Sequence, residues 1–380
     1  MRDWVRQLTQ WISQLRAALE LLKARLNRIF HIREPLQIVP YRGYGTPIRL
    51  ICMGRVSQGK KVRSHPKDAS LWQNLLNTYR RFESDAVPCA RLRVTVADQQ
   101  MEIVANKEGY FQTEIVPSHP LQSDRLWYQT PHFELLQPPS TEGQPAATTV
   151  GTMIVPTAAT QFVVISDIDD TIVYAAATDF FRMIRIAYMG NARTRSPFPG
   201  VAPFYQALQR GDSEQISNPI FYVSSSAWNM YDLFTEFLEL QDIPPGPLLL
   251  KDTVLSLESL LHFDHAIHKH EKIEPILNCY PDLPFLLIGD SGQQDAEIYT
   301  QIAQDYEGQI AAIYIRDVSQ QNPKRQRELQ AIAQQARQAG TQFLVIADTE
   351  MAAIHAAEQG WIRAEALSGI VQVKKLEQHS

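Results

Sequence analysis

From about residue 160 onward the chain repeats one pattern: a short run of β-branched and aromatic residues, then a longer stretch with apolar residues at helical steps. The runs are FVVIS, IFYVS, PLLL, FLLIG, AAIYI and FLVIA, each giving way to polar or small residues. Runs so short and so uniformly apolar suit strands covered on both faces. The segments between them, such as the one carrying Trp228, Tyr231, Phe234 and Leu238, suit amphipathic helices. The alternation predicts an α/β region over 160–380, with a mainly parallel sheet covered by helices on both faces. FLVIADTEMAAIHAAEQGWI supplies its last strand and helix.

Upstream the period changes. Over 38–155, RLRVTVADQQMEIVANKEGYFQTEIV alternates apolar and polar positions around Asn106-Lys107-Glu108-Gly109, which predicts two or three strands and a hairpin turn there. PIRLICMGRVSQG, with Leu50, Cys52 and Val56, is similar strand-like material, and Leu71 to Phe82 carries a short helical pattern through Leu71, Leu75, Leu76 and Tyr79. The expectation is a small β-rich, sandwich-like domain with one helix and no site of its own. QPPSTEGQPAATT, residues 137–149, reads as a linker or exposed loop. Residues 1–33 form a third region, a single amphipathic helix striped by Trp4, Leu8, Trp11, Leu15, Leu19, Leu22, Leu26 and Phe30. That stripe has two readings: packing against protein, or peripheral contact of residues 1–31 with an anionic membrane surface.

Composition narrows the class. A chain of 380 residues with 44% hydrophobic content suits two or three cored domains. No apolar run approaches the ~20 residues that span a bilayer, and MRDWVRQLTQWISQLR is broken too often by Arg and Gln to be an export signal. Cys52, Cys89 and Cys279 are odd in number and far apart, which suits a reducing cytoplasm. The net charge is −5, yet residues 1–33 hold seven Lys/Arg against Asp3 and Glu20, a local +5 that leaves −10 elsewhere. Such an acidic body argues against general nucleic-acid binding. The sequence carries no signal for an oligomeric state.

The chemistry gathers where the runs stop, at Asp167, Ser224, Lys251, Asp290 and Asp348. Ligands of open α/β sheets collect outside the carboxyl ends of strands, so one sheet edge bearing these residues is a candidate site. In SDIDDTI, Asp167, Asp169 and Thr171 fall on one side of a turn. A carboxylate can attack phosphorus if a cation offsets the repulsion between two anions, and Asp167 is placed to do so. Asp169 can then protonate the leaving oxygen and later activate water. Mg²⁺ needs only one or two carboxylates beside a phosphate oxygen, and Asp167, Asp290 and the Asp169 carbonyl offer a set, with Asp295 holding metal waters or orienting Asp290. Ser224, with Ser225 and Thr171 beside it in the site, can donate to phosphoryl oxygens, and Lys269 can offset the anionic charge. Each has a plainer alternative: the serines can cap the helix near Trp228, and Lys269 can be solvated. The tract His262, His265, His268, His270 lacks cysteine and suits solvated or phosphate-facing imidazoles better than zinc. DFFRMIRIAYMGNARTRSPF offers Arg182 and Arg185 to an anionic headgroup, with Phe180, Phe181 and Tyr188 packing on the sheet or facing lipid or a lid.

DIDDT, a serine after a strand, an isolated lysine and GDSGQQD, in that order, resemble the haloacid dehalogenase superfamily of phosphatases. SDIDDTI, PFPGVAPFYQAL, FYVSSSAW, PPGPLLLKD, HKHEKI and FLLIGDSGQQDAEIY together resemble, over about 160–320, the magnesium-dependent phosphatidate phosphatases of the yeast actin-patch type, related to the lipins. A weaker echo is YRGYGTPIRL. The resemblance implies a haloacid dehalogenase-like Rossmannoid sheet and Mg²⁺-dependent hydrolysis of a phosphate monoester, phosphatidate being the phospholipid partner. A soluble phosphomonoester, or phosphatidate binding without catalysis, are the alternatives. The second requires loss of the acids, whereas Asp167, Asp169 and Asp290 are all present.

Overall fold

The computed structural model describes residues 35–58, 85–121, 125–128, 131–139, 146–172, 197–212, 217–251 and 265–378. The stripe of residues 1–33, the helical pattern of 71–82, and Arg182, Arg185 and His262 lie outside the described residues.

The β-rich region consists of β1 (Leu36–Thr46), β2 (Arg49–Gln58), β3 (Asp85–Ala86), β4 (Arg91–Val96), β5 (Gln99–Val104), β6 (Tyr110–Ile115), β7 (Trp127–Tyr128), β8 (His132–Gln137), β9 (Thr148–Val150) and β10 (Met153–Ile154). One sheet runs β3-β2-β1-β10-β7 with β6 also paired to β2, and the second runs β5-β4-β8-β9. Their apolar faces enclose one core: Leu50, Cys52 and Val56 from the first sheet meet Leu92, Val94, Val96, Phe133 and Leu135 from the second.

One turn differs from the sequence reading. The hairpin lies between β4 and β5, where Val96 pairs Gln99 and Ala97 takes a positive φ of 50°. Asn106–Gly109 instead carries the chain from one sheet to the other, since β6 pairs β2. Asn106 Oδ1 accepts from the amides of Glu108 and Tyr110, and Gly109, at φ 78°, leaves no room for a Cβ beside the Val56 carbonyl. A turn signal marks a reversal of the chain but not the partner of the next strand. The stretch 137–149 connects β8 to β9, antiparallel neighbours of one sheet, and so lies within the β-rich region.

The remaining elements alternate: β11 (Val163–Asp167), α1 (Val201–Arg210), β12 (Ile220–Ala227), a 3₁₀ turn (Trp228–Met230), α2 (Tyr231–Leu240), β13 (Leu248–Lys251), α3 (His265–Cys279), β14 (Phe285–Asp290), α4 (Asp295–Asp305), β15 (Ile310–Arg316), α5 (Pro323–Gln338), β16 (Gln342–Ile346), α6 (Thr349–Glu358) and α7 (Ala366–Gln378). All six strands are parallel, in the order β13-β12-β11-β14-β15-β16. β11 and β14 lie side by side at the centre and are buried on both faces, as the unbroken apolar runs require. The helix α7 was not legible as an element. It packs on α1 and α6, and its Glu377 accepts from the Gly200 amide at 2.7 Å.

The β-rich region adds side chains to the core of the parallel sheet. Along β2, Leu50 and Cys52 face the sandwich core while Ile51 and Met53 face the parallel-sheet core. Tyr41 and Tyr44 of β1 face the same way: Tyr41 stacks on Trp228 with ring centroids 4.6 Å apart, and Tyr44 meets Phe221 edge-on.

Candidate active site

Four elements converge at the carboxyl edge of the parallel sheet. β11 delivers Asp167 and β14 delivers Asp290 beside it, with Ser166 in register with Ile288. The turn after β11 is held by Asp170 at φ 55°, a left-handed conformation that Asp tolerates better than most side chains. α3 brings in Lys269, and the first turn of α4 brings in Asp295. Gly289 makes that approach possible, since a Cβ there would sit 2.5 Å from Asp295 Oδ2.

The cluster is buried and tightly bonded. Lys269 is 1% exposed, and its Nζ lies 2.9 Å from Asp167 Oδ1 and also donates to Asp295 Oδ1. Asp295 Oδ2 accepts from the Asp290 amide at 3.2 Å, so both its oxygens are engaged. Asp290 Oδ1 accepts from the amides of Gly292 and Gln293 at 2.6 and 2.9 Å. Among the described residues of the site, three buried oxygens are left without a partner: Asp167 Oδ2, Asp290 Oδ2 and Thr171 Oγ1. Orphaned buried polar atoms are uncommon, and here two of them are carboxylate oxygens of one group. Asp167, Asp290 and Asp295 each offer an oxygen within 4.8 Å of the others, a donor set that suits a hard cation. A metal ion therefore fits this site.

Burial governs the titration of the cluster. It pushes the Asp167 carboxyl well above the ordinary range, opposed by Lys269 and reinforced by Asp295, Asp169 and Asp290. Asp290 is raised to about 8, first by burial and then by the charge of Asp295. For Lys269, burial favours the neutral amine, but the carboxylates of Asp167, Asp295 and Asp290 outweigh it and hold the ammonium above its usual pKa.

Asp167, Lys269, Asp290 and Asp295 thus meet in one cluster, and Lys269 is buried rather than solvated. Ser224 Oγ donates to Asp169 Oδ2 at 3.0 Å, and the 3₁₀ turn after it has no side-chain cap, so the serine is not a helix cap. Ser225 follows on the same strand, half-buried. Thr171 contributes the third orphan oxygen, while its carbonyl accepts from Arg316 Nε at 3.1 Å. Two of the run-ending residues have other places. Asp348 caps α6 through the Met351 amide and pairs with Lys374, and Lys251 ends the outermost strand. His270 faces Asp305 at 3.3 Å, on the exposed side of α3.

Sequence reasoning missed the residues that support the cluster. Arg316, 7% exposed, also donates to Thr349 Oγ1 and lies 4.3 Å over the Phe198 ring, and burial lowers its pKa to about 10. Its signal was the lone charge ending an apolar run. Arg325 and Asp317 lie in polar stretches whose patterning gives no sign of a role.

The fold and the site together define an α/β protein with an acidic candidate metal centre at the carboxyl edge of a parallel sheet. A family model described as phosphatidate phosphatase APP1, catalytic domain, matches residues 162–317, the segment that holds the whole cluster. Over that segment the chain is similar to this family. Phosphatidate phosphatase APP1 of Saccharomyces cerevisiae is 35% identical over 153 residues, 40% of this chain and 25% of the relative. An uncharacterised protein of Schizosaccharomyces pombe is 24% identical over 156 residues, 41% of this chain and 25% of its own. The chain thus matches about a quarter of the length of these relatives. Among solved structures, a carbohydrate acetylesterase of Xanthomonas citri aligns with 77% of this chain and 72% of its own at 11% identity and a TM-score of 0.22, a likeness that carries no argument.

Proposed function

We propose that this chain is a Mg²⁺-dependent phosphatidate phosphatase with a haloacid dehalogenase-like catalytic domain, releasing diacylglycerol and phosphate. The observation that carries the reading is the pair of orphaned oxygens, Asp167 Oδ2 and Asp290 Oδ2, beside a buried ammonium. Asp167, Asp290 and the Asp169 carbonyl would hold the ion, with Asp295 holding metal waters or orienting Asp290. When bound, Mg²⁺ supplies charge that favours the ionised carboxylates and offsets that of a phosphate.

In this reading an oxygen of Asp167 attacks phosphorus, and the bond from phosphorus to the glycerol oxygen breaks. Asp169, protonated, gives its proton to the departing alkoxide. It then takes a proton from the water that attacks the aspartyl-phosphate, which restores Asp167 and frees phosphate. Lys269 holds one Asp167 oxygen in place and offsets charge as the dianion arrives. Ser224, bonded to Asp169 in this structure, Ser225 and Thr171 are the hydroxyls available to phosphoryl oxygens, and Arg182 and Arg185 are proposed for the headgroup. Phosphatidate is a membrane lipid, so the working site is placed at the cytoplasmic face of a membrane, with residues 1–31 as the contacting segment. No helix among the described residues is long and apolar enough to cross a membrane.

The test is phosphate release from phosphatidate vesicles, lysophosphatidate, sugar phosphates and nucleotides, with EDTA and Asp167→Asn as controls. The expected result is Mg²⁺-dependent release with phosphatidate preferred. Preference for a sugar phosphate or a nucleotide would overturn the substrate, and binding of phosphatidate without release would overturn the enzyme.

A further inference from the structure

The loop between β14 and α4 is gripped from behind by one side chain. Arg325, in the first turn of α5, donates from Nε to the Ser291 carbonyl at 2.9 Å and from Nη2 to the Gln293 carbonyl at 3.0 Å. The rest of the guanidinium is held bidentately by Glu297 in the first turn of α4, with Nη2 3.0 Å from Oε2 and Nη1 on Oε1. A weaker bond of 3.4 Å reaches Glu328. The Arg325 side chain is 13% exposed. A planar fork is the only side chain that can serve two carbonyls and a carboxylate at once.

The grip bears on the site through shared peptide units. The Ser291 carbonyl and the Gly292 amide belong to one peptide group, whose N–H points at Asp290 Oδ1 at 2.6 Å. A cation on the carbonyl polarises that group and strengthens its N–H as a donor. The Gln293 amide donates to the same oxygen. With Oδ1 fixed by two amides, Asp290 is left with Oδ2 free among the acids of the cluster. On the other side Ser291 Oγ is tied to Asp317 Oδ1 and to Ser319, so the loop is constrained along both edges.

From this chain of contacts we infer that Arg325, held by Glu297, is a positioning residue that sets the affinity of the site for its divalent ion. It touches no reacting atom and lies beyond the segment matched by the family model. The inference rests on the reading of Asp290 as a metal ligand. Losses of outer partners of a ligand commonly weaken metal binding on the order of 10- to 100-fold.

The experiment is Mn²⁺ binding to the full chain, followed by electron paramagnetic resonance, with Mg²⁺ competition. Arg325→Gln should weaken binding on the order of 10- to 100-fold. Arg325→Lys keeps the charge but reaches one carbonyl, and should weaken it roughly tenfold. At saturating ion, KM for phosphatidate should stay within about twofold. Leu329→Val, at a buried position one turn along α5, lowers stability without touching the loop and should leave affinity unchanged. If Arg325→Gln fails to fold, Arg325→Lys decides the question. Wild-type affinity in a folded Arg325 variant overturns the inference, and so does an equal loss in Leu329→Val. A wild-type chain that binds no Mn²⁺ overturns it together with the metal reading of the site.

Discussion

Asp290 shows how one residue couples the site to pH. Its folded pKa of about 8 stands above the ordinary carboxylate value of 3.8, so between these values the metal-free folded chain binds more protons than the unfolded one. Without metal, stability should therefore fall as pH rises from about 4 to about 8, by on the order of 1 kcal/mol per pH unit. If Asp290 holds Mg²⁺ as proposed, saturating ion should displace that proton and flatten the slope. Urea midpoints at pH 5.5 and 7.5, with EDTA or Mg²⁺, read both effects, and identical slopes under the two conditions would rule the coupling out. Lys269 makes a second case. Lys269→Met strips Asp167 and Asp295 of their buried partner and should cost about 3 kcal/mol at neutral pH. The loss should shrink as pH falls, since burial already favours the protonated Asp167 carboxyl, and phosphate release at neutral pH should fall by about three orders of magnitude. The acids were legible because a strand end announces where its side chain goes. That Lys269 is buried was not, because its neighbours in HKHEK are all polar and only the packing of α3 against the sheet puts its ammonium between two carboxylates.

At the scale of elements, the six apolar runs correspond to β11 through β16, because strands covered on both faces leave the plainest trace in a sequence. β2 belongs to the same class for a less visible reason: its two faces enter two different cores, so the polar half of the alternation is missing. Pairing was the illegible part, since Asn106–Gly109 reads as a hairpin until β6 is seen beside β2. α7 was missed because ALSGIVQVKKLEQ mixes exposed and buried positions, Leu376 being 63% exposed. Its packing yields a prediction. Gly200, before α1, has φ 78°, and a Cβ there would meet Lys374 Cβ at 3.3 Å. Gly200→Ala should destabilise the fold by about 1–2 kcal/mol, read from the shift in denaturant midpoint at unchanged slope. A midpoint equal to that of the wild type would contradict the strained geometry.

Across the whole molecule, the β-rich region and the parallel sheet share a core at Tyr41, Tyr44, Ile51 and Met53. Polar bonds reinforce it: the Arg42 amide donates to Tyr231 Oη at 2.9 Å, and Tyr280 Oη donates to the Gly45 carbonyl at 3.1 Å. Such a contact couples the two regions, so unfolding followed by tryptophan fluorescence and by circular dichroism should show coincident transitions. Tyr41→Ala should lower both, by about 3 kcal/mol. Two separate transitions in the wild type would contradict the coupling. The coupling gives the β-rich region a physical role, since it buttresses β12, the strand that carries Ser224.

The central claim is that Asp167 attacks phosphorus, and acid quenching of turnover on ³²P-phosphatidate followed by peptide mapping tests it directly. The account predicts Mg²⁺-dependent label on Asp167, absent from Asp167→Asn. Rapid phosphate release with the label on Asp169, or with undiminished turnover in Asp167→Asn, would contradict it.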